Sequence, residues 1–263
     1  LKSIKWNLGP TASTSTVTLA DYNAAFSKVS MIYTPIFAKQ GYTLLLEGDW
    51  NDATEKAFSV DKKNNTNRRK VYVSGGFARK PLMTKDTLLS TLCHEIGHHL
   101  GGYPKYPEIK WGASSEGQAD YFSTAKCLKI VMADEKETNE QIANSIDVPE
   151  FVKDDCTKQF ESKDAQNLCV RLAIVSERFV KNMKHESLES LFYLGGFDYS
   201  TTVTMEYAYP RVQCRLGTLY QGALCNVSPN ISFSGSEELT GSCHPKNGHD
   251  VGARPLCWFL PRE

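Results

Sequence analysis

The string His94-Glu95-Ile96-Gly97-His98 constrains this chain more than any other feature, because on a helix two histidines four residues apart lie on one face, one turn apart. Two imidazoles that share a metal need a third ligand, so the fold must bring another element against that helix. Glu116, eighteen residues after His98, opens the string Glu116-Gly117-Gln118-Ala119-Asp120 and can supply it. Two histidines and one glutamate leave a fourth position for water, which suits a hydrolytic zinc site and not a structural one. The predicted ligands are therefore His94, His98 and Glu116, and the predicted cofactor is Zn2+.

Glu95 follows the first histidine and faces the open side of such a site. Zinc lowers the pKa of bound water towards about 7, and Glu95 is placed to take its proton and pass it to a leaving amine. Asp120 lies one helical turn after Glu116 and can accept a hydrogen bond from the non-ligating nitrogen of a zinc histidine, fixing its tautomer. The competing reading makes the histidines ordinary core residues and Asp120 a surface carboxylate. His99 points about 100° away from His98 around the helix and is expected to pack, not to bind metal. His185, His244 and His249 have no metal-ligand spacing and are expected at the surface.

Thirty basic residues balance thirty acidic ones over 263 positions, so no net field favours nucleic acid. The longest apolar runs, Thr43 to Leu46 and Leu168 to Val175, fall far short of the roughly 20 residues that span a bilayer. A start at Leu1 suggests that a leader was removed. Eight cysteines fit an oxidising, extracytoplasmic setting, periplasmic or secreted, better than cytosol. They allow about a hundred pairings, and nearness in sequence suggests Cys156 with Cys169, Cys214 with Cys225 and Cys243 with Cys257. Cys93 and Cys127 then either bridge the two site-bearing helices or stay as buried thiols.

Thr18 is a good N-cap for a helix from Leu19 to Lys39, whose stripe of Leu19, Tyr22, Phe26, Val29, Ile32, Tyr33 and Ile36 is stopped by Gly41. Tyr42 to Glu47 reads as a strand, Asn51 to Lys70 as a solvated loop, and Lys70 to Ser74 as a short strand before a loose Gly75-Gly76. A helix capped near Thr84 carries the histidine motif and stops at Gly101-Gly102. After a structured connection from Tyr103 to Gly112, Ser114 or Ser115 caps a helix to about Lys136, with Glu116 in its first turn. Further helices are expected over Asp164–Met183, Glu186–Leu194 and Gln213–Ala223, before an irregular tail from Asn226.

These motifs resemble the gluzincin metallopeptidases, in which an HExxH helix is followed by a second helix bearing Glu-x-x-x-Asp, matched here by Glu116 and Asp120. The branch most similar contains the HtpX-type and CAAX prenyl proteases and their soluble periplasmic relatives, whose second segment reads Glu-x-Glu-Ala-Asp; Gln118 departs from its second Glu. That branch also has a His-Pro with an Arg six residues after the His. Tyr209-Pro210 followed by Arg215 matches it in part, which implies Tyr209 or Arg215 as oxyanion donor. The competing readings are an ordinary tyrosine and a structural ion pair. By the same resemblance, Val71 to Gly76 would be the edge strand where an extended peptide substrate adds.

The resemblance implies an α+β, zincin-like single domain over residues 1–263. A small N-terminal sheet with helices and the zinc helix would occupy 1–102, and a mostly helical C-terminal subdomain with the glutamate helix 103–263. The implied function is zinc-dependent endopeptidase activity on a protein or peptide bound in extended form. The alternatives are a zinc amidase acting on cell-wall amides and a non-catalytic, zinc-stabilised binding module.

Overall fold

The computed structural model describes residues 15–61, 67–184, 192 and 196–262. The chain enters through α1 (Leu19–Lys39), capped by Thr18: its hydroxyl accepts from the Asp21 N–H at 3.1 Å while the Asp21 carboxylate accepts from the Thr18 N–H at 3.0 Å. That reciprocal box satisfies two backbone donors that a helix start leaves open. Gly41, at φ +79°, ends the helix as expected. Tyr22, Ala25, Val29, Tyr33 and Phe37 form its buried face. Leu19, placed at the head of the expected stripe, is instead exposed, because the buried face starts at Tyr22.

Three strands follow, β1 (Thr43–Glu47), β2 (Ala57–Asp61) and β3 (Arg68–Val73), in the order β1-β3-β2. β1 runs parallel to β3, with Leu45 opposite Lys70, and β2 runs antiparallel to it, with Ser59 opposite Val71. Two expectations are corrected here. The stretch from Asn51 to Lys70 is not simply a loop, since it holds all of β2 and the start of β3. Its charges mask strands: Arg69 pairs with Asp61 at 2.7 Å and lies over the Tyr42 ring at 4.2 Å, and Lys70 pairs with Glu47 at 2.7 Å. Nor is Val71 on an edge strand, because β3 is paired on both sides and the antiparallel edge is β2.

Gly75 and Gly76 do not loosen the chain. They open α2 (Gly75–Ala78), and a Cβ on either would overlap the backbone of Trp50 or Ala53. Next comes α3 (Lys85–Leu100), boxed by Thr84 and Thr87 and closed at Gly101. Leu88, Leu89, Leu92 and Ile96 are fully buried, each contributing about 1.5–3 kcal/mol of apolar transfer. Those residues join α1, the sheet, Phe122 and Leu172 in one core.

Ser115 caps α4 (Glu116–Phe122), which passes through a π-helical turn at Ser123–Cys127 into α5 (Leu128–Val131). This segment ends before Lys136, and Lys136 instead begins a separate helix, α6 (Lys136–Ala143), followed by α7 (Glu150–Gln159). Both are largely polar and were hidden by composition. α8 (Lys163–Lys184) and α9 (Val212–Leu224) lie where the sequence places them, whereas the helix expected from Glu186 and its neighbour His185 lie outside the described residues, apart from a turn at Phe192. Arg171 on α8 holds Asp86 at 2.9 and 2.7 Å and Glu135 at 2.8 Å, docking α8 against the start of α3. The tail beyond Asn226 is irregular except for one 3-10 turn.

All eight cysteines are paired: Cys93–Cys127, Cys156–Cys169, Cys214–Cys257 and Cys225–Cys243. The first ties α3 to the turn after α4, and the second is as expected. The other two replace the pairs Cys214–Cys225 and Cys243–Cys257. Cys214 and Cys225 stand at opposite ends of α9, about 16 Å apart at 1.5 Å per residue, beyond any disulfide's reach. Among the described residues, no helix is long and apolar enough to cross a membrane. Peptide mapping without reduction is expected to recover Cys214 joined to Cys257 and Cys225 joined to Cys243; recovery of a Cys214–Cys225 peptide would contradict this arrangement of α9 and the tail.

Candidate metal centre

The site forms where α4 crosses the C-terminal half of α3. Gly97 makes the approach possible: a Cβ there would lie 2.9 Å from Cα of Ala119, so any larger residue pushes the two helices apart. On the other side of α4, Gly117 packs on the Trp258 ring. With the helices this close, side-chain donor atoms of His94, His98 and Glu116 fall within 4.8 Å of one another, and all three residues are buried or nearly so. Oε2 of Glu116 is 3.2 Å from Nε2 of His94 and 3.8 Å from Nε2 of His98. Ligands about 2.1 Å from a tetrahedral ion lie roughly 3.4 Å apart, so the spacing suits one small cation.

Each ring is turned by a fixed partner. Nδ1 of His94 is 2.8 Å from Oδ1 of Asp120, and Nδ1 of His98 is 2.8 Å from the Ser114 carbonyl oxygen. A carbonyl accepts only, and so does an ionised carboxylate, so both Nδ1 atoms donate and both Nε2 lone pairs face Glu116. The Glu116 carboxylate is set in the same way: Tyr106 donates to Oε1 at 3.3 Å, while Oε2 is buried and turned to the two imidazoles. A buried carboxylate oxygen facing two imidazole nitrogens whose other nitrogens are already engaged is the donor set of a divalent cation site.

Asp120 is fully buried, and burial alone would raise its carboxyl. Arg215 outweighs this, with Nε 2.6 Å from Oδ2 and Nη2 2.7 Å from Oδ1, and together with His94 holds Asp120 down to about 2. Burial likewise opposes charge on His94, yet the Asp120 and Glu116 carboxylates raise it to about 10. The cluster therefore calls for positive charge, which a bound cation would supply in place of that proton.

Of the two readings open for Arg215, oxyanion donor and structural ion pair, the structure shows the ion pair: its guanidinium grips Asp120 from behind His94. Tyr209 does approach the site. It is half exposed, its ring lies 5.1 Å from the Arg215 guanidinium, and burial together with the charges of Glu116 and Glu95 raises its phenol, so the hydroxyl stays protonated. Glu95 is buried, and Ser59 of β2 reaches over it, with Oγ 2.6 Å from the Glu95 carbonyl oxygen and 2.8 Å from Oε2. Phe179 of α8 walls the other side, 5.9 Å from the His94 ring.

Gln118, at the departure from the resembled pattern, is structural here: Nε2 donates to Gly101 O at 2.6 Å and Oε1 accepts from Arg254 at 3.2 Å. His99 packs against Phe37 and Trp111 as expected, donating to Lys70 O at 3.2 Å. His244 is buried beside Glu238 and not at the surface, because the tail folds over it. Ser59, Tyr106 and Phe179 carry no motif, and only the fold brings them to the site. Among the described residues, the other donor group, Asp198 with Cys214 and Cys257, is closed by the disulfide.

Compared with known protein families, with curated proteins and with solved structures, the chain matches none. Zinc titration followed calorimetrically is expected to give one site per chain, with affinity falling about 10–100-fold in Asp120→Asn and further in Glu116→Ala. Gly97→Val is expected to weaken zinc binding although it removes no ligand, and to cost about 1–3 kcal/mol in stability through overpacking.

Proposed function

We propose that this chain is a zinc-dependent endopeptidase of the gluzincin type, with a zincin-like arrangement of its helices. The observation that carries the reading is the buried set of His94, His98 and Glu116, with Oε2 of Glu116 turned to both imidazoles, beside a carboxylate at Glu95 that is not needed as a ligand. A site kept only for stability would be closed by a fourth protein ligand and would have no use for such a base. A zinc ion held there would polarise a carbonyl and acidify a water molecule.

The remaining chemistry belongs to side chains of this protein. Glu95 takes the proton of the attacking water and returns it to the departing amine, and Ser59 holds one of its oxygens in place by donating to it. His94 and His98 keep their tautomers through Asp120 and Ser114, so neither turns during turnover. The protonated Tyr209 phenol is suited to donate to the oxyanion as it forms. Arg215 acts on Asp120 and so positions His94. An extended substrate fits along β2, whose outer edge pairs with no strand among the described residues and whose Ser59 reaches Glu95, by adding main-chain hydrogen bonds there. The four disulfides support an extracytoplasmic setting.

The test offers unfolded proteins and purified peptidoglycan to the zinc-loaded protein. New amino termini from protein alone are the expected result, and cleavage of peptidoglycan alone would make it a cell-wall amidase. Glu95→Gln is expected to bind zinc normally and to lose activity by about 10²–10⁴-fold. Tyr209→Phe is expected to lower kcat about 100-fold with little change in KM; an unchanged kcat would remove Tyr209 from the reaction.

A further inference from the structure

A cavity of about 510 Å3 lies outside the metal centre, between the C-terminal ends of α1 and α3, the segment from α4 to α5 and the tail near Phe233. Its size is within the range of small-molecule sites. The tail closes it because Gly102, at φ +74°, lets the Ser234 carbonyl sit against the backbone, where it accepts from the Tyr103 N–H at 2.9 Å.

Three lysines line this cavity, Lys39, Lys105 and Lys126, and no aspartate or glutamate does. In a chain with equal numbers of acidic and basic residues, that is a local excess of one sign in a concave place, running from the exposed Lys39 through the half-buried Lys105 to the buried Lys126. Lys39 and Lys105 have no carboxylate partner among the described residues. Lys126 is almost fully buried; its ammonium donates to Ser228 O at 2.8 Å, lies 4.9 Å from the Phe233 ring centroid and has no carboxylate partner among the described residues. Burial without a counter-charge pushes it down to about 8. Between the lysines the wall is mixed, with an apolar part formed by Tyr33, Ile36, Phe122 and Ile130 beside the polar Gln40, His99, Asn230 and Ser232.

Each half of this lining limits the ligand. An inorganic anion would answer the ammonium groups but leave the apolar wall against water. A neutral hydrocarbon would cover the wall while stripping water from unpaired ammonium groups, which is costly. A carboxylate on an apolar body satisfies both, and a concave site of one sign concentrates anions at its mouth.

We infer that this cavity is a binding site for a small amphiphilic carboxylate, with the carboxylate at Lys39, Lys105 and Lys126 and the apolar body against Tyr33, Ile36 and Phe122. The site is separate from the metal centre and does not depend on the peptidase reading.

The experiment titrates the zinc-loaded 263-residue chain calorimetrically with octanoate, acetate and octanol. Octanoate is expected to bind once per chain and at least tenfold more tightly than either of the others. The double variant Lys39→Gln/Lys105→Gln, its unfolding midpoint unchanged, is expected to weaken octanoate at least tenfold and to leave octanol unaffected. Octanoate binding no tighter than octanol or acetate would overturn the inference. So would undiminished binding to the folded double variant, which would place the carboxylate on the zinc ion or elsewhere. A diazirine-bearing octanoate gives a readout on the unaltered chain: crosslinks are expected to peptides containing residues 33–40, 122–130 or 229–235, and labelling confined to other peptides would also overturn it.

Discussion

Three helices meet on the carboxylate of Asp120. It sits on α4, accepts from His94 on α3 at 2.8 Å and is gripped by Arg215 on α9 at 2.6 and 2.7 Å, all without exposure to water. Removing one partner from such a buried pair costs about 3–5 kcal/mol, because the other charge is left alone in a dry place. The contact therefore does two things at once. It docks α9 onto the core, and it fixes the face that His94 turns towards Glu116, so the docking of the C-terminal helices and the aim of the histidine cannot be varied independently.

The rest of the centre follows from how close α3 and α4 come. Gly97 against Ala119 sets the distance, and Gln118 binds the end of α3 through Gly101. The Cys93–Cys127 bridge joins α3 to the turn after α4, and Ser114, just before α4, holds His98. Because these contacts are made by backbone, small residues, one buried amide side chain and a covalent bond, the donor set is formed by the fold itself. β2 then brings Ser59 to Glu95 from the opposite side, so sheet and helices converge on one carboxylate.

Where sequence reading succeeded, the signal was local. Helix caps at Thr18, Thr84 and Ser115 and the four-residue spacing of His94 and His98 are written within a few positions, and the structure places them as read. It failed where the deciding contact is distant. β2 was taken for a loop because Asp61 and Arg69 look solvated until they are seen to pair across strands. For Arg215 the string leaves an oxyanion donor and a structural ion pair both open, because nothing in it reveals that Asp120 needs a buried counter-charge. The cysteine pairing is partly legible: a helix from Gln213 to Ala223 already separates Cys214 from Cys225 by too much for a bond. Ser59 and Tyr106 had no signal, since each reaches the site only through tertiary contact.

The central claim is that His94, His98 and Glu116 hold one zinc ion with an open position. A crystal structure of the zinc-loaded protein with anomalous data collected at the zinc edge tests it most directly. One peak is expected about 2.0–2.2 Å from Nε2 of His94, Nε2 of His98 and Oε2 of Glu116, with no fourth protein ligand. A peak held by other residues, a fourth protein ligand closing the site, or no peak at all would contradict the account.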